Sequence, residues 1–271
     1  MTRNHTTREL AFDDPTLSAL VAPAGVHGVY VQNALASGEG DGFVFVHEGV
    51  DAGLCWFGPR GNLVIVAGDE LASAAVNALA DAMARARHPW RIAMGPTAVV
   101  NARRDRTAGK PLLLRDQVYY TGTATSATTA LVNDDVRSAQ RGDRDRLVQA
   151  TLLLNASDLN IEPARVDRRW LRDTIDQRIA EGATKVLGPI GGFHCKLDIG
   201  SIGPGGIVVE GVFTFPECRG RGLAAQLVAT CMRSAPGLVC LHVGMHNAPA
   251  RSAYERAGMV QSGRCRLLLL G

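Results

Sequence analysis

Ile207-Val208-Val209-Glu210-Gly211-Val212-Phe213-Thr214-Phe215 runs directly into Pro216-Glu217-Cys218-Arg219-Gly220-Arg221-Gly222-Leu223-Ala224, and from there into an apolar-striped stretch that ends near Ala235. β-Branched and aromatic residues dominate the first part, which predicts a strand. Pro216 lacks the N–H that a sheet ladder needs and ends it. Leu223, Leu227, Val228 and Cys231 recur at helical spacing, and Pro236 closes that helix. A strand, a tight Arg/Gly turn and a helix therefore follow in immediate succession. Gly220 and Gly222 free the backbone to turn with its N–H groups pointing into one small space. Those groups lie at the positive end of a helix dipole. Such a turn suits a phosphate or pyrophosphate, and Arg219 and Arg221 add cationic donors for its oxygens. No Gly-Lys-Ser/Thr follows, so this is not a Walker loop, and the spacing is not G-x-G-x-x-G. The plain alternative is a basic turn that happens to carry two glycines.

A second segment bears on that choice. Val239 to Met245 reads as a strand, followed by His246-Asn247-Ala248-Pro249-Ala250-Arg251-Ser252-Ala253-Tyr254-Glu255-Arg256-Ala257-Gly258-Met259. The two segments together resemble the GNAT superfamily of acyl-CoA N-acyltransferases. The family's Arg/Gln-x-x-Gly-x-Gly/Ala is matched by Arg219, Gly222 and Ala224. Its Asn-x-x-Ala-x-x-x-Tyr-x-x-x-Gly is matched by Asn247, Ala250, Tyr254 and Gly258. The resemblance covers 132–271, the expected GNAT acetyltransferase domain, and implies an enzyme that uses acetyl-CoA as cosubstrate, needs no metal and acetylates a primary amine by direct attack.

The resemblance also implies roles for single residues. The cofactor pyrophosphate would lie on the backbone of Arg221 to Ala224, with Arg219, Gly220, Arg221, Gly222, Leu223 and Ala224 as the binding loop. The pantetheine arm would pair with the strand near Phe213 and Thr214, where a backbone N–H polarises the thioester; losing such a donor costs on the order of 3 kcal/mol. Asn247 would contact pantetheine or backbone. Arg251 would reach a phosphate, or would be a solvated helix arginine. Tyr254 is the candidate general acid for the leaving thiolate, the alternative being a packed tyrosine with a satisfied hydroxyl. Glu210 is the candidate general base, set among apolar residues that could raise its pKa; a paired structural carboxylate is the alternative, and His194 is the runner-up base. Acceptor choice would lie in Asn155 to Pro163, where Asp158 and Glu162 could draw a cationic amine. Arg165, Arg168, Arg169 and Arg172 share a helix face that could meet an acidic acceptor or RNA. Asp167, Asp173 and Asp176 nearby favour a solvated, salt-bridged face. A non-catalytic acyl-CoA-binding sensor or scaffold stands as the alternative function.

The whole chain sets the frame. It has 271 residues, 46% of them apolar and 20% charged, enough for packed cores and too apolar for a disordered chain. A net charge of +3 is too mild to point to nucleic acid. Six cysteines without a C-x-x-C pair read as reduced thiols of a cytoplasmic protein, and seven histidines show no metal spacing. No apolar run is long enough to span a membrane. A monomer or homodimer is expected.

Along 1–125, Met1 to Asp14 reads as frayed or a short helix, and Leu17 to Leu35 as partly helical. Strands are expected at Phe43–His47, Leu54–Phe57 and Asn62–Val66, a helix from Leu71 to Arg87, a short strand at Ile92–Met94, a short helix from Thr97 and a strand at Leu112–Tyr120. There is no Arg/Gly loop. Gly61-Asn62-Leu63-Val64 and Met94-Gly95-Pro96 make this half similar to the degenerate amino-terminal lobe of two-lobe bacterial GNAT proteins. Thr121 to Thr129, rich in Thr, Ala, Gly and Ser, reads as the linker. In the second half Asp143 is expected to cap a helix through Leu154, Arg165–Ala180 to form a second helix, and Arg264–Leu270 the last strand. The fold class that follows is α/β (α+β): tandem GNAT-like lobes, each a mixed, mostly antiparallel twisted sheet flanked by helices.

Overall fold

The structure is a computed structural model that describes residues 5–11, 14, 17–21, 26–59, 61–68, 71–86, 88–108 and 110–270. The strands and α-helices among the described residues come in two runs of ten. The first is β1 (His5–Glu9), α1 (Leu17–Val21), α2 (Val26–Ala36), β2 (Asp41–His47), β3 (Val50–Phe57), β4 (Asn62–Ala67), α3 (Ser73–Ala86), β5 (Ile92–Gly95), α4 (Thr97–Arg104) and β6 (Pro111–Gly122). The second is β7 (Val136–Ser138), α5 (Arg144–Leu159), α6 (Arg168–Ala180), β8 (Thr184–Leu187), β9 (Cys195–Gly203), β10 (Gly206–Thr214), α7 (Leu223–Ser234), β11 (Val239–Gly244), α8 (Ala248–Ala257) and β12 (Val260–Leu270). The order β-α-α-β-β-β-α-β-α-β thus occurs twice, as expected for tandem lobes.

The chain forms two compact units. The first holds 1–119, 203–205 and 262–271. Its strands β1 to β4 are antiparallel neighbours, and β5 lies parallel to β4. One side of this sheet is buried by α3, whose Ala75, Leu79 and Met83 recur at i, i+4 and face Phe45, Ile65 and Ala93. Val31, Leu35, Val44, Trp56 and Val64 form a second cluster. Two expectations differ. His5–Glu9 is a strand, because its backbone pairs with β2 from His5↔His47 to Glu9↔Phe43. An edge strand takes its order from its neighbour's free N–H and C=O groups, not from an apolar pattern of its own. The last strand, expected with the second half, instead pairs its residues Arg266 to Leu269 antiparallel to Gly95 to Ile92 of β5.

The second unit holds 120–202 and 206–261. Its strand order is β7-β8-β9-β10-β11, with β7 to β9 antiparallel and β10 parallel to β11. The stretch read as a linker is tied down along its length. Thr123 N–H donates to Ser126 Oγ at 3.0 Å, Thr128 N–H to the Ala257 carbonyl at 3.0 Å, and Thr128 Oγ1 to the Arg256 carbonyl at 2.7 Å. A Cβ on Gly258 (φ +100°) would stand 1.9 Å from the Ser126 carbonyl oxygen, so only glycine admits the crossing. Small polar residues serve close approach and hydrogen bonding here, not slack.

Asp143 stands at the N-cap position of α5, as expected, but its side chain makes no cap hydrogen bond to that helix. It ends a 3-10 turn (Arg141–Asp143) before α5, and its buried carboxylate takes the Arg137 fork at 2.7 and 3.0 Å plus the N–H groups of Gln140 and Gly191, both at 2.8 Å. Burial alone would raise its pKa; the hydrogen bonds from Arg137, Gln140 and Gly191 outweigh burial and hold it below the usual 3.8. A depressed carboxylate adds stability that is fully present above its unfolded pKa and is lost as pH falls through its folded value. Asp143→Asn is therefore expected to cost about 2–3 kcal/mol at neutral pH. In denaturant titrations its gap from the unaltered protein should close as the pH drops below 3.8; a gap that stays constant into acid would refute this account.

Candidate active site

The site begins where two strands part. β10 and β11 pair only at Ile207↔Val239 and Val208↔Cys240. Beyond them, the edge of Val209 to Thr214 that faces β11 has no strand partner among the described residues. Gly211 (φ +59°) bends β10 at this point, and a Cβ on it would stand 2.7 Å from Asp198 Oδ2 and 3.0 Å from Lys196 Nζ. An unpaired strand edge is a ready template for an extended ligand with amides of its own.

At the open end β10 passes through a 3-10 turn (Pro216–Cys218) into the Arg/Gly loop. Gly220 (φ +75°) and Gly222 (φ +74°) are both left-handed, and Gly222 is the N-cap of α7 without a side-chain cap. Among the described residues, the N–H groups from Gly220 to Ala224 donate to no backbone carbonyl. Arg219 Nε donates to the Thr214 carbonyl at 3.2 Å, and Arg221 is exposed. Nothing stands within 4 Å of a Cβ built on Gly220; one built on Gly222 would lie 3.5 Å from Nη2 of Arg256. The loop thus combines N–H groups without a backbone acceptor, a helix N-terminus and an exposed arginine, an arrangement that suits an anion.

Tyr254 of α8 is only 5% exposed, and its hydroxyl makes no hydrogen bond among the described residues. Its ring meets Tyr120 edge-on, with centroids 5.8 Å apart. Burial first, then Cys195, Asp158 and Tyr120, push its pKa well above the usual 10, so the phenol stays protonated at neutral pH. Cys195 of β9 accepts a hydrogen bond from Thr214 Oγ1 at 3.2 Å, and burial lifts its thiol to about 11. Asn247 caps α8, its Oδ1 accepting from Ala250 N–H at 3.2 Å. Arg251 turns away from the loop: Nε donates to Tyr120 Oη at 3.2 Å and Nη1 to the Met245 carbonyl at 3.3 Å, while Tyr120 donates to Glu255 at 2.6 Å.

Glu210 is held by Arg178 of α6, Nη2 to Oε1 at 2.7 Å. Arg178 also pairs with Asp198 at 3.1 Å, and Asp198 takes Lys196 Nζ and Thr184 Oγ1. His194 sits at the start of β9, where its carbonyl accepts from Phe215 N–H at 3.1 Å. Phe213 is buried edge-on against Phe215. Arg146 of α5 lies 3.7 Å above the Phe215 ring and donates from Nε to the Phe193 carbonyl at 2.6 Å. On the acceptor side, Asn155 to Leu159 finish α5, Asn160 (φ +56°) ends it, and Glu162 lies 3.6 Å from Arg165. The arginine face is solvated, as expected, but Asp167 and Asp176 do not bridge it, and its one ion pair among the described residues is Arg165 with Glu162. Asp167 caps α6 through the N–H groups of Arg169 and Trp170, and Asp176 takes Arg144 at 2.5 Å. Among the described residues, Arg168, Arg169 and Arg172 have no carboxylate partner.

Residues 156–259 match the acetyltransferase (GNAT) family. This segment is a GNAT domain. By family it is an acyltransferase, and the matched residues take in the parted strands, the loop and Tyr254. Solved structures of similar fold extend over nearly the whole chain. A Drosophila protein is 11% identical over 97% of this chain and 98% of its own, with a TM-score of 0.61. A GCN5-related N-acetyltransferase from Sphaerobacter thermophilus is 16% identical over 99% and 96%, with a TM-score of 0.56. One from Kribbella flavida is 14% identical over 92% and 96%, with a TM-score of 0.53. No curated protein matches. Among the described residues the GNAT domain shows no group of His, Cys, Asp or Glu that could hold a metal, and no helix of the chain is long and apolar enough to cross a membrane.

Arg146, Arg178 and Arg256 escaped the sequence reading. Only Arg256 left a trace there, as a cation in the last turn of the motif helix. The buried phenol gives a direct check. An ultraviolet pH titration of the unaltered protein minus that of Tyr254→Phe should show no phenolate from residue 254 until well above pH 10; ionisation at or below that value would contradict the burial.

Proposed function

We propose that the second unit moves an acetyl group from acetyl-CoA to a primary amine, on a small molecule or a protein, in the cytoplasm. The observation that carries this is the parting of β10 and β11 after two pairs, with a phosphate-type loop at its mouth and a protonated tyrosine beside it. The cosubstrate fits the residues present. Its pyrophosphate matches the free N–H groups of Gly220 to Ala224, and its pantetheine amides match the unpaired edge near Phe213 and Thr214. The six free cysteines support a reducing compartment.

The chemistry is one displacement. The amine attacks the thioester carbonyl carbon, a backbone N–H of β10 receives the developing oxyanion, and the C–S bond breaks as the tetrahedral intermediate collapses. Tyr254 gives its proton to the departing sulfur. A thiol and a phenol differ by roughly 1.5 pKa units before the site acts on either. Glu210 receives the ammonium proton through water while Arg178 holds the carboxylate in place. Asp158, in electrostatic contact with Tyr254, supports a cationic acceptor. A non-catalytic acyl-CoA sensor is the second reading. What favours it is the Arg178–Glu210 pair, which leaves no unpaired carboxylate on the central strand.

Calorimetric titration with acetyl-CoA, followed by thiol release over an amine panel, tests both readings. Gly222→Asp should abolish binding. Tyr254→Phe should keep affinity and lower kcat by about 10²-fold or more. Binding without turnover on any amine would move the protein to the sensor reading. Absence of binding to any acyl-CoA would overturn both.

A further inference from the structure

We infer that Arg256 is a third phosphate-binding arginine, carried to the Arg/Gly loop by α8, and that it grips the pyrophosphate of the cosubstrate. This inference rests on the acyl-CoA reading above and adds a residue that neither sequence motif contains. The sequence offered Arg251 for a phosphate, but Arg251 is committed to Tyr120 and the Met245 carbonyl. Arg256, one helical turn on, has no ion pair among the described residues. Its Nη2 lies 3.5 Å from the position a Gly222 Cβ would take. That is beside the left-handed N-cap of α7.

Three features favour this exposed guanidinium as a binding group. Its backbone is fixed, because Thr128 donates to the Arg256 carbonyl at 2.7 Å and Thr128 N–H to that of Ala257 at 3.0 Å. Gly222 leaves the space between it and the loop empty of side chain, and the space over Gly220 is open within 4 Å. Of the other two arginines, Arg219 spends Nε on the Thr214 carbonyl, and Arg221 is exposed, with no partner among the described residues. A pyrophosphate entering here meets the N–H groups from α7 and a guanidinium carried to them by α8. A planar fork suits two phosphate oxygens at once.

Calorimetric titration of the full chain with CoA and with dephospho-CoA is the test. Arg256→Ala should weaken both ligands alike, by about 10- to 50-fold, since both carry the pyrophosphate. Arg256→Lys should recover part of the loss, and added salt should narrow the gap between variant and unaltered protein. Arg233→Ala, an exposed arginine in the last turn of α7, should bind as the unaltered protein does. Equal thermal unfolding midpoints establish that the variants fold. Unchanged affinity in Arg256→Ala would overturn the inference alone. A loss seen only with CoA would overturn it too, by placing the guanidinium on the 3′-phosphate. Failure of the unaltered protein to bind either ligand would overturn the acyl-CoA reading along with it.

Discussion

Two backbone pairs join β10 to β11, and then the strands separate. A sheet that opens in its interior leaves hydrogen-bonding groups without partners, which is costly unless water or a ligand takes them. The second unit holds β10 in this position from the side away from the gap. Gly211 lets the backbone turn against Asp198 and Lys196, and Arg178 ties Asp198 to Glu210. Arg146 presses on Phe215 just past the strand's end. The charges in this group are matched to one another, so the bend is fixed without leaving a bare ion in the interior.

The first unit shows the same order of elements with the opening closed. There β4 and β5 keep three parallel pairs, and a Cβ on Gly95 would stand 2.7 Å from Ile65 Cβ, so the strands pack tightly where the second unit parts. Arg103 lies seven positions after the N-cap of α4, as Tyr254 does after the N-cap of α8. Its guanidinium stacks 5.0 Å from the Trp90 ring and is nearly buried, with Nε unbonded. A cation in a packed core cannot stand in for a phenol beside an open slot. One architecture thus carries two different interiors.

What was legible in the sequence was local. Gly220 and Gly222 are left-handed because the turn requires it, and glycine plus arginine at that spacing announces the turn without help from the rest of the chain. The apolar stripes of α3 and α7 follow from 3.6-residue periodicity. What was not legible depended on partners distant in sequence. Nothing in His5–Glu9 says strand until β2 lies beside it. Asp143 reads as a capping side chain until Arg137 and Gly191 close on its carboxylate. Glu210 reads as an apolar-strand base until Arg178 arrives from α6, and Arg251 and Arg256 are indistinguishable until Tyr120 takes one of them. The Thr/Ser/Gly stretch 121–129 has the composition of a tether, yet Gly258 and Ser126 meet there at a distance that composition cannot encode.

The pairing of Arg266–Leu269 with β5 has a temporal consequence. On the ribosome, residues 1–119 emerge while the strand that borders β5 is still unmade, and the whole of the second unit must be translated before that strand appears. The first unit therefore waits, with one sheet edge bare, for a partner more than half a chain away. Until then that edge is free to pair with any other strand that meets it.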